Sequence, residues 1–478
     1  MNNKMTAAMA VSAGAPANSS TKRSVEALLV GERIDGMHGS IRLWGWVALI
    51  ALGAFFEIYD LALTGPISPG LVAAGVFKVG HAGIFGLSDQ ATFIASTFLG
   101  LYLGVIGFAH FGDRVGRKAV FGYALLSYAI ATFVMGLQSS PVTVCLWRFL
   151  AGIGLGAESV AIDCFLVEIM PKHLRGRAFG VANAIGFSAI PIAALLAALL
   201  IPLAPFGVSG WRFLTVLPAL GAIAFWVFRR KLPESPRWLA SKGRWEEAHA
   251  VLDAFEGGQQ PKSRQSSEPR GKAEQAGAQK VAPNYVRRAM LMMSIYFVFQ
   301  TIAFYGFSNW IPTLLEAQGV PLKHSLIYTF GVSLAAPLGP IAIALSADRF
   351  ERKHQIVVLG LLAIVLGLSF GYSHSAFAWV ASGIGLTFAN AALSFHSHAY
   401  QSEIFPTSIR AKTVGVVYSF TRLAAAASGY IVAVALAHGG VLSVFGTIST
   451  CMIIALVSIG FWGPRTRNRT FEEITGQP

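Results

Sequence analysis

The chain has 478 residues, of which 54% are hydrophobic and only 13% are charged, and its formal net charge is +14. Soluble domains carry about 25% charged residues, so this composition excludes an ordinary soluble protein. Charge-free runs such as 119–138 and 178–203 reach the roughly 18–20 apolar residues that a helix needs to cross a bilayer. An all-α membrane protein is therefore predicted.

The chain divides into five predicted regions. Residues 1–43 are polar, hold no apolar signal segment and are expected to form a partly disordered N-terminus. Two bundles of six helices follow at 44–228 and 289–463. A linker at 229–288 separates the bundles, and 464–478 form a tail. The twelve predicted spans cover 44–66, 91–110, 119–138, 142–167, 178–203, 211–228, 289–315, 325–345, 355–373, 376–400, 413–437 and 441–463.

Lys and Arg lie mostly on one side of this predicted layout. If the termini are cytoplasmic, the inner segments hold 32 of these residues, and the outer loops hold only Lys78, Arg212 and Lys323. The positive-inside rule therefore predicts that both termini are cytoplasmic. The basic charge is then expected to face anionic lipid, so nucleic acid is not an expected partner. We expect a monomer that crosses the inner (plasma) membrane of a bacterium many times.

Span one contains two carboxylic acids, Glu57 and Asp60, whose spacing places them on one helical face. An ionisable group at the bilayer centre costs roughly 2.5–3.5 kcal/mol, so each one needs a reason. Two neighbouring carboxylates repel in a low dielectric, so one of them is expected to hold a proton near neutral pH. We predict that this pair carries protons. The alternative is a position near the outer end of the span, where a partner or water neutralises both acids.

Span four contains Arg148 early in its length and two acids, Glu158 and Asp163, deeper in the membrane. An arginine keeps its charge, so it needs a carboxylate partner or a bound anion. We predict that Arg148 and Glu158 bind substrate. The alternatives are a structural ion pair of Arg148 with Asp60 or Glu158, and carboxylates that only neutralise Arg148 or a water-filled vestibule.

The linker contains two kinds of sequence. Ser235 to Phe255 is predicted to form a short amphipathic helix on the membrane surface, because its large apolar residues recur on one side. Gly257 to Pro283 has almost no large apolar residue and is predicted to be a flexible connection.

The second bundle carries further candidate site residues. In span seven, Tyr305 and Trp310 either stack on a ring-shaped substrate or pack between helices. In span ten, His396 and His398 point to different faces and do not form a metal pair, although one of them could line a cavity. In span eleven, Arg422 is predicted to bind a substrate carboxylate, the alternative being a structural ion pair. The sequence shows no nucleotide loop, metal cluster or nucleophile with a base, so neither an enzyme nor a cofactor is expected.

Two loops of the first bundle recur in the second at one offset. Asp113 to Lys118 matches Asp348 to Lys353, 235 residues later, and Glu168 to Arg175 matches Glu403 to Arg410 at the same offset. Two matches at one offset indicate a duplicated six-helix unit, with halves related by an axis along the membrane normal. In such parallel repeats the substrate binds near the midplane between the halves.

Three motifs resemble those of the major facilitator superfamily: Gly112 to Lys118, Arg148-x-x-x-Gly152-x-Gly154-x-Gly156, and Pro233 to Leu239. The resemblance implies the two-bundle fold and a rocking mechanism, in which charged loop residues form a breakable latch at the cytoplasmic ends. Glycine in the first loop permits a tight turn, and its aspartate can cap the next helix. The alternative is that the loops serve only topology and turn formation. The predicted gating residues are Asp113, Arg114, Gly116, Arg117, Glu168, Asp348, Arg352, Glu403 and Arg410.

Three further segments are similar to the aromatic-acid and metabolite/proton symporters of that superfamily: Phe55 to Asp60, Asn309 to Leu315 and Thr421 to Ala424. This resemblance implies a proton-coupled importer of a small organic acid, with aromatic carboxylates among the candidates. Its expected partners are the small-molecule substrate, protons and the lipid bilayer. The alternatives are a sugar or polyol porter, which shares the Pro-Glu-Ser-Pro-Arg-Trp motif, and a nutrient sensor built on a transporter fold.

Overall fold

The structure of the protein is a computed structural model that describes most of the chain. At 108–115, 283, 402 and 410–412 it describes the backbone but not the side chains. The described residues are 29–78, 88–230, 232–256, 283–339, 351–405 and 410–466.

Between residues 41 and 229, the described residues form eight α-helices, and local sequence explains several of their ends. Ser40 caps the first helix by accepting a hydrogen bond from the Leu43 amide, and Pro141 begins the fifth, where its missing N–H costs nothing. The helices are α1 (Ile41–Ala62), α2 (Ile67–Ala73), α3 (Asp89–Val115), α4 (Arg117–Gly136), α5 (Pro141–Ile169), α6 (Arg175–Phe187), α7 (Ala189–Leu203) and α8 (Gly210–Arg229).

The predicted linker helix is two helices, α9 (Pro236–Ser241) and α10 (Trp245–Glu256). They are separated at Gly243, whose φ of 78° favours glycine and ends the first helix. Their apolar residues are buried with those of a short helix at 29–36, in one cluster with the first half.

Ion pairs connect the short helix at 29–36 with the linker helices and with the first half. Arg33 contacts the carboxylates of Asp253 and Glu256 on α10, with Nη2 2.8 Å from Glu256 Oε2. Asp35 lies 2.9 Å from Lys172 Nζ and 3.5 Å from Arg237 Nη2. Partial burial opposes ionisation of Asp35, but hydrogen bonds from Lys172 outweigh it, so the pKa of Asp35 is lowered. The linker helices are therefore held against the first half.

Six α-helices of the second half lie wholly within the described residues. The predicted span seven is interrupted at Asn309 and Trp310, because Pro312 near the start of the next helix disfavours a continuous helical backbone. The longest helix has 53 residues and changes direction at Gly440, whose φ is 64° and ψ is −162°. The helices are α11 (Pro283–Ser308), α12 (Ile311–Ala317), α13 (Leu322–Ser333), α14 (Arg352–Tyr372), α15 (Ala376–Ile404) and α16 (Arg410–Trp462).

The described residues contain no strand, and ten of their segments are long and apolar enough to cross a membrane. One of these ten, Thr413–Trp462, has 50 residues and Gly440 inside it, so it is long enough for the two spans predicted there. The terminal part of the predicted span eight lies outside the described residues. The predicted all-α membrane fold is confirmed.

Helices α3 and α5 pack with their backbones in contact. A Cβ added at Gly104 would lie 2.1 Å from the Ile153 carbonyl oxygen, and one at Gly100 would lie 2.1 Å from that of Phe149. On the facing helix, a Cβ at Gly156 would lie 2.2 Å from the Leu101 carbonyl oxygen. Only glycine allows this approach, which is common between spanning helices because small residues let backbones come close.

The two halves are packed together on one side. We call the side on which α1 begins and α16 ends the terminal side, and the opposite side the distal side. Near the distal side, Gln90 Nε2 donates to Thr313 Oγ1 at 2.9 Å, and the Tyr430 hydroxyl donates to Thr92 Oγ1 at 3.3 Å. Residues of α3 share a core cluster with the second half. The distal ends of the halves are therefore in contact.

Gly65 is one of the closest points of this distal contact. A Cβ there would lie 2.8 Å from the Asn309 carbonyl oxygen of the other half. We expect Gly65→Leu to keep the distal side from closing, because the added side chain overlaps backbone rather than a flexible side-chain end. A Thr92→Cys reporter in a cysteine-free background then reacts faster with a maleimide that does not cross membranes.

Gly45→Leu is the matched control, because a Cβ at Gly45 meets nothing within 4 Å. It should leave the labelling rate of the reporter unchanged. Equal rates in the Gly65 and Gly45 variants would show that Gly65 does not govern closure.

Candidate functional site

Asp60 and Arg148 form a buried ion pair in the first half. The carboxylate Oδ1 lies 3.0 Å from Arg148 Nη1, and the two side chains are 5% and 1% exposed. Arg148 Nε donates to Thr97 Oγ1 at 2.9 Å, and its Nη2 donates to Thr64 Oγ1 and to the Asp60 carbonyl at 2.7 Å each. The Thr132 hydroxyl donates to the other Asp60 oxygen at 3.3 Å. The two charges of this pair thus compensate each other, and both side chains make further hydrogen bonds to neighbouring groups.

Glu158 and Arg229 form a second buried ion pair. Glu158 Oε1 lies 2.7 Å from Arg229 Nη1, and the side chains are 0% and 2% exposed. The guanidinium stacks over the Phe121 ring, and Gly53 leaves room for the pair, since a Cβ there would lie 2.6 Å from Arg229 Nη2. The close contact is not directed as a hydrogen bond, and Arg229 Nε and Nη2 and Glu158 Oε2 have no hydrogen-bond partner among the described residues.

Glu57 lies beside the second pair rather than paired with Asp60. Glu158 exerts the strongest charge interaction on Glu57, followed by Asp163, Arg422 and Arg229. Spacing of three residues on α1 places Glu57 and Asp60 on one broad face, but their carboxylates turn toward different neighbours. The predicted pair of acids on span one is therefore divided between two charge clusters.

Arg422 reaches the interface between the halves from α16. It is half-buried, its charge interacts with Glu57 of the other half, and it lies 5.1 Å from the centroid of the Tyr418 ring. The Tyr305 hydroxyl interacts with it electrostatically, and the centroids of the Tyr305 ring and of the Phe98 ring of the first half lie 4.5 Å apart. Arg422 Nε is buried without a hydrogen-bond partner in the part of the chain that the structure describes.

Two polar side chains on the terminal side of Arg422 are exposed. Asp163 on α5 and His398 on α15 both interact with Arg422, yet both side chains are exposed. His398 Nδ1 lies 2.7 Å from the Ser394 carbonyl, so this nitrogen carries the proton. The interface is therefore open toward the terminal side at this level, and His398 rather than the buried His396 borders the opening.

Trp310 and Glu158 are closed off from that opening. Trp310 is 2% exposed and belongs to the core cluster of the second half, and Glu158 is 0% exposed. The structure therefore brings Arg422 and Tyr305, of the residues predicted to bind substrate, to the interface. It places Arg148, Glu158 and Trp310 in the interior of one half.

The predicted gating residues that are described form matching ion pairs at the terminal ends. Arg117 Nε lies 3.1 Å from Glu168 Oε1 in the first half, and Arg352 Nε lies 2.7 Å from Glu403 Oε1 in the second. Gly116 has a φ of 106°, as a tight turn before α4 requires. The side chains of Asp113, Arg114 and Arg410, and the whole of Asp348, lie outside the described residues.

Two residues at these ends, Glu234 and Arg229, were not among the predicted site residues. Glu234 accepts hydrogen bonds from the backbone amides of Arg117 and Lys118 at 3.0 Å, so the start of α4 is capped from the linker. Arg229 was counted as a loop residue, although it ends α8 and is buried. Glu234 could have been recognised from its place in the Pro-Glu-Ser motif, and Arg229 from its position at the end of an apolar run.

Comparisons with known proteins agree with this architecture. A family model described as sugar (and other) transporter matches residues 46–477. The putative metabolite transport protein YyaJ of Bacillus subtilis is 29% identical over 426 residues, covering 87% of this chain and 92% of that protein. The niacin transporter NiaP of Acinetobacter baylyi is 26% identical, covering 90% of this chain and 95% of that protein. The inward-open xylose transporter XylE of Escherichia coli superposes with a TM-score of 0.72 at 17% identity, covering 91% and 99%.

The family match extends over most of the chain, and the superposition shows that the fold is the one XylE has. Proteins of this family move metabolites and sugars across membranes and are not enzymes. The chain belongs to the sugar (and other) transporter family of the major facilitator superfamily and is a multi-pass secondary transporter.

Proposed function

We propose that the protein imports a small organic acid, aromatic carboxylates among them, together with protons. Arg422 carries this proposal. Its guanidinium lies at the interface between the halves, beside Tyr305 and the Tyr418 ring, and its Nε has no hydrogen-bond partner among the described residues. A forked donor of this kind suits a carboxylate, and flanking aromatic rings suit a flat apolar body.

The proposed cycle uses the two ends of the molecule in turn. We propose that the terminal side is cytoplasmic, as the distribution of Lys and Arg predicts, and that the distal contacts open to admit substrate. The pairs Arg117–Glu168 and Arg352–Glu403 lie within each half at the terminal ends, where they can order the loops that meet when that side closes.

Protons are proposed to enter through the acids of α1, Glu57 and Asp60. One proton with one monoanion moves no net charge, so uptake would follow the pH gradient alone. A second proton would add about 2.3 kcal/mol per 100 mV of membrane potential. The niacin transporter relative supports an acid as substrate, because niacin is a pyridine carboxylic acid.

The test is uptake into proteoliposomes with an imposed inward proton gradient, corrected for uptake into protein-free liposomes. The labelled panel contains benzoate, nicotinate, quinate and a hexose. We expect an acid to accumulate, and we expect Arg422→Gln to lose most of this uptake while Arg422→Lys keeps part of it, because lysine retains the charge but not the fork.

Arg42→Gln is the matched control, because Arg42 is exposed at the start of α1. It should transport as the unmodified protein does. Hexose uptake that ignores the gradient would instead support the second candidate, a sugar or polyol porter, which the family description and the XylE fold favour. In that case Arg422→Gln would leave acid uptake where it was, at the background level.

A further inference from the structure

The opening between the halves contains hydrogen-bond acceptors that a simple carboxylate would not use. Arg422 and the Tyr305 hydroxyl supply donors there, and Arg422 is the group proposed to bind the substrate carboxylate. On the terminal side of Arg422 lie two acceptors, the Asp163 carboxylate and the His398 imidazole, and both side chains are exposed. A substrate that carries a hydrogen-bond donor as well as a carboxylate would use one of them.

The imidazole of His398 is held in one orientation by three neighbours. Its Nδ1 donates to the Ser394 carbonyl at 2.7 Å, and its ring packs edge to face with the rings of Phe297 and Tyr418, at centroid distances of 5.6 and 5.4 Å. The hydrogen bond at Nδ1 sets the tautomer, so Nε2 of the uncharged ring has a lone pair and accepts. Among the described residues, none donates to Nε2. This acceptor is therefore available to a ligand.

Arg422 and His398 lie beside the same aromatic ring. The guanidinium carbon of Arg422 is 5.1 Å from the centroid of the Tyr418 ring, and the centroid of the imidazole is 5.4 Å from it. A small flat acid lying along this ring can place its carboxylate at Arg422 and a polar substituent at His398. The two ends require opposite chemistry, because the carboxylate accepts at Arg422 whereas the substituent has to donate to Nε2.

Asp163 is the competing acceptor, and two observations favour His398 over it. Asp163 carries a negative charge that interacts with Arg422, so it would repel a second carboxylate bound there, whereas an uncharged imidazole would not. Asp163 also belongs to the first half, while His398, Tyr418 and Arg422 all belong to the second. The spacing between His398 and Arg422 is therefore kept when the halves move in the proposed cycle.

We infer that His398 Nε2 accepts a hydrogen bond from the substrate and thereby selects acids with a ring hydroxyl over acids without one. The inference rests on the proposed function and narrows it from small organic acids to hydroxylated ring carboxylates. Benzoate has no such donor, and the ring nitrogen of nicotinate accepts rather than donates, so both leave Nε2 without a partner. We expect each of them to bind more weakly than a hydroxybenzoate.

The experiment measures how strongly unlabelled acids compete with a labelled acid for exchange by proteoliposomes, with the same pH on both sides. The labelled acid is the one that accumulates most with a gradient, chosen from the earlier panel with meta- and para-hydroxybenzoate added. The competitors are these two hydroxybenzoates, the matching methoxybenzoates, whose ether oxygen cannot donate, and benzoate, which controls for the bulk of the methyl group. We expect one hydroxybenzoate to compete about five- to tenfold better than its methoxy partner and than benzoate, as one hydrogen bond allows.

Removing the acceptor should abolish this advantage. His398→Phe keeps a ring between Phe297 and Tyr418 but has no acceptor, so the hydroxybenzoate should fall to the level of benzoate while benzoate competes as before. His398→Gln should keep part of the advantage, because its amide oxygen can accept from a similar position. His438→Phe is the matched control: His438 Nδ1 also lies near a carbonyl four residues earlier, at 2.9 Å, but about 24 Å of helix separates it from Arg422.

Equal competition by a hydroxybenzoate, its methoxy partner and benzoate in the unmodified protein would overturn the inference. An advantage that survives in His398→Phe also overturns it, and loss of that advantage in Asp163→Asn would then identify Asp163 as the acceptor. If His398→Phe exchanges no acid, His398→Leu takes its place, and failure of both variants would mean that His398 is structural and does not select among acids. These results leave the proposed function intact. An unmodified protein that accumulates no acid contradicts the proposed function and the inference together.

Discussion

Asp60→Asn is expected to destabilise the protein by about 3–5 kcal/mol, the usual effect of removing one partner from a buried ion pair. The substitution keeps the size and the acceptor oxygen of the side chain but leaves the Arg148 charge uncompensated. Arg148 is 1% exposed and has no route to water that would not disrupt the packing of α1, α3 and α5. The measurement is thermal unfolding of the purified protein in detergent.

The double variant Asp60→Asn with Arg148→Gln is the informative companion. It removes both charges, so most of the lost stability should return. Glu246→Gln neutralises an exposed carboxylate and should unfold as the unmodified protein does. A double variant as unstable as the single one would mean that the pair contributes through shape and hydrogen bonds rather than charge.

Gly104→Ala is expected to destabilise the protein by about 3 kcal/mol, the upper end of the usual cost of overpacking. Its Cβ would lie 2.1 Å from the Ile153 carbonyl oxygen, so α3 and α5 have to move apart as whole backbones. That movement would also separate Thr97 on α3 from Arg148 on α5, which are 2.9 Å apart between Oγ1 and Nε. Thermal unfolding and the yield of folded protein measure the effect.

Gly107→Ala on the same helix is the matched control. A Cβ at Gly107 meets nothing within 4 Å, and alanine is the better helix former by about 1 kcal/mol. The same substitution three residues apart should therefore have opposite signs. Equal effects at both positions would show that backbone contact between α3 and α5 does not limit stability.

Much of the fold could be predicted because the membrane imposes simple requirements on a sequence. Charge-free runs located the spans, and Gly116 marked a turn because few other residues accept a φ of 106°. Pro312 disfavours a continuous helix, so the interruption at Asn309 could have been predicted from it. The apolar run continues across this point, however, and the span was therefore predicted as one helix. The two linker helices share one apolar pattern, which Gly243 divides.

The candidate site was harder to predict, because side-chain partners depend on neighbouring helices. Spacing put Glu57 and Asp60 on one face of α1 but did not show that α5 offers Arg148 to one and Glu158 to the other. Arg229 was missed because a charge at the end of an apolar run is usually in water, whereas this side chain turns back into the protein and stacks over the Phe121 ring. Arg422 could be recognised because an arginine inside a predicted span keeps its charge and needs a carboxylate partner or a bound anion.

The two halves of this duplicated protein have come to differ in chemistry. Both buried ion pairs described above lie in the first half, while Arg422, Tyr305 and the Tyr418 ring come from the second. Under the proposed function, the second half binds the substrate and the first half binds the proton, so a change in the second half can alter the cargo without disturbing proton coupling. We expect chimaeras that exchange only the second half between relatives to inherit the specificity of that half.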